Sequence, residues 1–145
     1  MKNWTKFSML LSITAGFAIW HYGLIAELSP ADLRTFVGLL AQISVTMLGF
    51  LLAALAILAS IAGHRLMRNM QKTGHYQVLL KRFFANTVAY GVSTVTTLLA
   101  YLASANLVLA TIGAITCVLF ATLLLIDAGW RFWLVLSNLT PDSPS

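Results

Sequence analysis

Apolar residues along the chain fall into four blocks separated by short polar stretches. The blocks cover Phe7 to Ile25, Phe36 to Ala62, Phe83 to Ala103 and Leu107 to Leu125, the last with an apolar extension to Leu136. A hydrocarbon core about 30 Å thick takes about 20 apolar helical residues to cross, and each block is close to that length or longer. The pattern predicts an all-α membrane protein with four transmembrane helices at 7–25, 36–62, 83–103 and 107–125. Residues 1–145 then form one polytopic domain, with a cytoplasmic helical hairpin at 63–82 and a short tail at 137–145. Lys2 and Lys6 ahead of the first block resemble the start of a signal peptide. Bulky Trp20, His21 and Tyr22 follow the block where a cleavage site would need small residues, so the first block is expected to stay as an anchor.

Local signals refine the helix ends. In Ser29-Pro30-Ala31-Asp32, Ser29 suits an N-cap, Pro30 the first helical position and Asp32 the acid-favouring first turn. The second helix therefore starts near Pro30, outside the bilayer. If it runs to Lys72 it has about 43 residues and a length of roughly 64 Å, so its inner end projects from the membrane. Lys72-Thr73-Gly74-His75 reads as a C-terminal cap, with Gly74 free to take positive φ, and the third helix then starts near His75 or Tyr76.

Small residues form a stripe on the second helix. Gly38, Gln42, Thr46, Gly49, Ala53, Ala56, Ser60 and Gly63 recur every three or four positions and share one face, while Leu, Ile and Phe occupy the opposite face. Membrane helices associate through such close backbone approaches, and a repeat near 3.5 implies a left-handed crossing. A packing seam inside a left-handed four-helix bundle is the expected use. A seam between copies in a homo-oligomer, or a pore wall, is the alternative. Weaker versions appear at Asn106, Ala110, Gly113, Cys117, Ala121 and Ala128, and at Ser8, Ser12, Ala15 and Gly16. The third helix carries a polar stripe of Asn86, Tyr90, Ser93, Thr94, Thr97 and Tyr101. Polar groups in lipid face other helices or water, so this stripe serves interhelical hydrogen bonds or, in an assembly, a hydrated path. It has no Asp, Glu, Lys or Arg, which speaks against a proton-coupled route.

Composition agrees with the spans. The chain is 59% hydrophobic and 9% charged, with a mean hydropathy of +0.87, against about 45–50% and about 25% in soluble domains. That excludes a soluble domain, a disordered chain and a nucleic-acid binder. The net charge of +5 reads as topology. Lys2, Lys6, Arg65, Arg68, Lys72, Lys81, Arg82 and Arg131 fall on one side of the predicted spans, and Arg34 alone on the other. The positive-inside rule then puts both termini in the cytoplasm of a cell with the protein in its inner membrane. Trp4, Trp130 and Trp133 fall at the inner interface and Trp20, Tyr22 and Tyr101 at the outer one, as amphipathic rings prefer.

Chemistry-bearing residues are few. Asp127 and Arg131 are spaced for a helical i,i+4 pair and, beside Trp130, suit an anchor at the inner interface. His21 is an interfacial side chain, and His64 and His75 stand too far apart for a helical metal pair. Gln42 is expected to hydrogen-bond a neighbouring helix. Cys117 lies in an apolar run and reads as a small buried hydrophobe. The sequence has no Ser-His-Asp set, phosphate-binding glycine loop, HExxH or CxxC, so no enzyme activity, metal or cofactor is expected. The basic residues Arg65, Arg68, Lys72, Lys81 and Arg82 suit contact with anionic lipid, worth about 1 kcal/mol each near the surface. Interleaved Leu66, Met67, Met70, Val78, Leu79 and Leu80 also leave room for a protein partner there.

Leu48 to Ala56 has a composition common in small bacterial inner-membrane proteins, which implies no particular activity. Small size, the packing seam and the polar stripe favour a non-enzymatic membrane protein that acts by self-assembly. It would perturb the bilayer or block what crosses it, as in superinfection exclusion and antiviral defence against phages. The alternative is an accessory or anchoring subunit of a larger membrane complex. A small-solute transporter or channel comes third.

Overall fold

The computed structural model describes residues 2–60, 75–103 and 106–137, which form four α-helices and no strand. These are α1 (Lys2–His21), α2 (Pro30–Ser60), α3 (His75–Leu102) and α4 (Leu107–Ser137). Three helical stretches are long and apolar enough to cross a membrane: Pro30–Ser60, Gln77–Leu102 and Leu107–Leu134. The 20-residue α1 falls outside that set; it carries Lys2, Lys6, Ser8, Ser12 and Thr14 among its apolar residues. Much of the expected hairpin, including Gly63, His64, Arg65, Arg68 and Lys72, lies outside the described residues. So does the tail beyond Ser137. Positions 75–82 of the hairpin are the opening turns of α3, which starts at His75; the expected cap at Gly74 lies outside the described residues.

Two helix ends show how local chemistry sets the boundaries. At the start of α2, the Asp32 backbone N–H donates to Ser29 Oγ at 3.2 Å, and the Ser29 hydroxyl donates to the Asp32 carboxylate at 2.6 Å. The first intrahelical bond runs from Leu33 N–H to the Ser29 carbonyl at 3.0 Å. Ser29 thus caps a donor that the start of the helix leaves without an intrahelical partner. At the end of α1 the expected span of 7–25 is too long. The helix stops at His21 because Gly23 takes a left-handed φ of +61°. Gly23 N–H then bonds Trp20 O at 3.2 Å and Leu24 N–H bonds Ile19 O at 3.3 Å, which together form a Schellman cap. Tyr22 to Glu27 are turns, not transmembrane helix.

Helix packing is unequal. α4 touches all three other helices, α2 lies mainly along α3 and partly on α4, and α1 packs on α4 alone. Small and hydroxyl-bearing side chains make up more than half of the buried residues, with Leu33, Leu51, Leu58, Leu79 and Ile112 among the larger ones. One cluster joins Val37, Ala100 and Ala114, and another joins Leu51, Tyr90 and Ala121. Large apolar residues such as Leu10, Phe17, Phe50, Phe84 and Leu109 face outward instead. This reverses the arrangement of a soluble core. It is the expected order when the solvent is lipid, because hydrocarbon gives apolar side chains no reason to hide and helices adhere by close approach.

The closest approach of this kind is between α1 and α4. A Cβ at Gly16 would collide with Thr116 Oγ1, which is itself held by a 2.8 Å bond to the Ile112 carbonyl. Ser8 and Ser12 share that buried face of α1. Gly16→Ala should therefore destabilise the protein by about 1–3 kcal/mol, the usual cost of overpacking. Thr116→Ala in the same chain should restore most of the loss. Thermal unfolding of the two single variants and the double variant in nanodiscs measures this, and purely additive losses would show that the two positions do not meet.

Candidate functional site

The polar stripe of α3 lies mostly inside the bundle. Asn86, Tyr90, Ser93 and Thr97 are buried, Thr94 is half-buried and Tyr101 is exposed. Three hydroxyls donate to carbonyls one turn back on their own helix: Ser93 to Ala89 at 3.0 Å, Thr94 to Tyr90 at 2.9 Å and Thr97 to Ser93 at 2.8 Å. Tyr90 Oη lies 3.2 Å from Thr122 Oγ1 on α4. Thr122 spends its own proton on the Val118 carbonyl at 2.8 Å, so Tyr90 is the donor across the interface. Within the stripe, Tyr90 makes the bond to another helix, Ser93, Thr94 and Thr97 bond their own helix, and the buried Asn86 amide has no partner.

The small-residue stripe of α2 has a different fate. Leu33, Val37, Ala41, Ser44, Leu51 and Leu58 form the buried face of α2. Gln42, Thr46, Gly49, Ala53, Ala56 and Ser60 are exposed, and Gly63 lies outside the described residues. The seam expected between helices of the bundle therefore faces away from the other described helices. The physical reason is that α3 presents Tyr90 and other bulky groups, which pack against the Leu51 side of α2. Gly38 is the exception, with the Tyr101 ring above it at 3.7 Å from where a Cβ would stand. Thr46 bonds back to the Gln42 carbonyl at 2.8 Å. The Gln42 amide has no partner among the described residues.

The weaker small-residue sets do face inward. On α1, Ser8, Ser12 and Gly16 are buried and Ala15 is half-buried; on α4, Ala121 and Ala128 are buried and Ala110, Gly113 and Cys117 half-buried. Asn106 stands just ahead of α4 in a left-handed conformation at φ +57°, which asparagine tolerates better than most residues.

The charged site lies at the far end of α3 and α4 from the link that joins them. Arg82 Nη1 pairs with Asp127 Oδ2, and Arg131 Nε donates to Asp127 Oδ1 at 2.9 Å. The Asp127 side chain is 9% exposed, Arg82 19% and Arg131 39%. One carboxylate thus holds two guanidinium groups, one on its own helix and one on the neighbour. The i,i+4 pair is the one expected from spacing. The Arg82 contact, 45 residues away in sequence, is new. Its signal was present all the same. Arg82 precedes Ala103 by the same number of residues as Asp127 follows Asn106, so antiparallel helices must bring them to one level. At 1.5 Å per residue that level is about 32 Å from the link, one hydrocarbon thickness away. Between the pair and the link, neither helix carries a charged residue. The exposed rings of Trp4, Trp130 and Trp133 surround the same end. The cluster therefore ties the two helices together at the end opposite their link. Lys81, beside it, is exposed.

No protein-family model, curated protein or solved structure matches this chain.

Asp127→Asn strands Arg82 in a mostly buried position and should cost about 3–5 kcal/mol, as for a broken buried pair. Arg131→Ala removes a half-exposed partner and should cost below about 1 kcal/mol. Tyr90→Phe should cost about 0.6 kcal/mol, the average for a hydrogen bond between membrane helices. Denaturant unfolding in mixed micelles gives the ranking; equal effects of the Asp127 and Arg131 variants would contradict the central role of the carboxylate.

Proposed function

We propose that the chain is a small multi-pass protein of the bacterial inner membrane that acts by assembling with further copies of itself through α2. All four helices cross the bilayer in this reading, with both termini in the cytoplasm. At 20 residues, α1 is about 30 Å long and sufficient for a crossing. The one-sided distribution of Lys and Arg supports the orientation.

The observation that carries the reading is the outward face of α2. This helix has three sides. Leu33, Val37, Ala41 and Leu51 pack inward, while Phe36, Leu39, Ile43, Phe50 and Ile57 form a bulky exposed side. Between them runs the exposed strip of Gln42, Thr46, Gly49, Ala53 and Ala56. Lipid alone contacts bulky side chains as readily as small ones. A shallow strip with a lone amide is suited to another backbone, and a second copy brings the amide a matching amide. An assembly of this kind fits a membrane effector that disturbs the bilayer or blocks what crosses it, as in superinfection exclusion or phage defence. An accessory subunit would use the same strip for a different partner. A channel has less support, because the α3 hydroxyls are bonded within the chain.

Cysteine cross-linking in intact membranes tests the assembly, in a Cys117→Ser background. Ala56→Cys and Ile57→Cys stand at the same depth and about 100° apart around the helix. Ala56→Cys should give a disulfide-linked homodimer and Ile57→Cys should not, and Gly49→Leu should abolish the dimer. Equal yields at the two positions would refute the α2 interface. Adducts only with other proteins would point to the accessory-subunit reading.

A further inference from the structure

α1 and α3 both flank the inner end of α4 but do not pack on each other. A cavity of about 460 Å³ opens between them, lined by Thr5 of α1, by Val78, Lys81, Arg82, Ala85 and Asn86 of α3, and by Leu124 and Asp127 of α4. We propose that this cavity binds the phosphate-bearing headgroup of an anionic phospholipid.

Three observations lead there. The first is charge. Lys81 and Arg82 supply two cations to the wall and Asp127 one anion. Asp127 also carries the second guanidinium of Arg131 on its other side, so little of its charge is left to oppose an incoming anion. The second is unspent hydrogen bonding. Asn86 is 1% exposed, yet neither end of its amide has a partner, and Arg82 Nε one turn away has none either. Buried groups of this kind are costly unless something pairs them. A small turn of the two side chains aims both N–H groups at one phosphate oxygen, as in other charge-assisted anion contacts. The Asn86 oxygen then needs a donor, which a headgroup hydroxyl such as that of glycerol supplies. The third is the setting. Val78, Ala85 and Leu124 make the remaining wall apolar, and the cavity lies at the level of the Arg82–Asp127 pair, one hydrocarbon thickness from the outer link. A lipid phosphate sits at that depth with its chains beside apolar helix surface. A free phosphate ion shares the recognition chemistry but has no use for the apolar wall.

The proposal is independent of assembly through α2. Its test is native mass spectrometry of the purified full chain released from vesicles, with thermal unfolding in the same vesicles as the second readout. The vesicles are phosphatidylcholine alone, phosphatidylcholine with phosphatidylglycerol, or phosphatidylcholine with inorganic phosphate in the buffer. Phosphatidylglycerol should be retained and should raise the unfolding temperature. Asn86→Leu, which leaves the ion cluster intact, and Lys81→Gln, at an exposed position, should each weaken that preference by about tenfold or more, the loss expected for a hydrogen bond or contact to a charged group. Lys6→Gln removes a nearby cation that does not line the cavity and should change nothing. Unaltered preference in both Asn86→Leu and Lys81→Gln would overturn the site. Equal loss in Lys6→Gln would reduce it to general surface attraction and overturn it too. Stabilisation by inorganic phosphate to the same extent as by phosphatidylglycerol would overturn the assignment to a lipid.

Discussion

Lipid gives apolar side chains no reward for meeting one another, and that constraint shapes every interface in this chain. What remains to hold helices together is close backbone approach, paired polar groups and the avoidance of bare charge. The interfaces draw on these, and on plain shape, in different proportions. α1 meets α4 over Gly16, where there is no room for a side chain. α3 meets α4 through Tyr90 and Thr122 in the middle and through Arg82 and Asp127 at the end. α2 meets α3 by ordinary shape, with Leu51 against Tyr90. α4 is the shared partner because its inward positions are mostly small, which lets three neighbours approach a single axis.

The ion cluster and the link between α3 and α4 act as two ends of one measure. Between them neither helix carries a charged residue, over about 32 Å of helix. Sliding one helix past the other would separate Arg82 from Asp127 in a mostly buried position, so the hairpin has one favoured register. The exposed tryptophans of α4, Trp130 and Trp133, stand at the same end as the ion cluster.

Much of this was legible in the sequence where the physics is local. The cap at Ser29 needs only Ser, Pro and Asp at fixed offsets, and the structure places α2 accordingly. The end of α1 was also local. It depends on Gly23, yet the apolar run continues past it to Ile25 and disguises the stop. Arg82 with Asp127 required one further step, counting equal distances from the link. The facing of α2 could not be read at all. In water the apolar side of a helix is the side that packs inward, but in lipid both sides are apolar. A strip of glycine and alanine suits a neighbour in the same chain as well as one in another. The choice was made by the size of what α3 offers, and that depends on all the helices together.

The dependence of α1 on α4 alone has a consequence for synthesis. Gly16 and Thr116 meet in the folded chain but are made far apart in time. At about 5–20 residues per second, roughly 5–20 s pass between their emergence from the ribosome. Throughout that interval the face of α1 that bears Ser8, Ser12 and Gly16 has no cognate surface. α3 and α4, by contrast, are close neighbours in sequence and can pair as soon as they enter the bilayer. α1 therefore reaches its packing partner only after α2, α3 and much of α4 have been made.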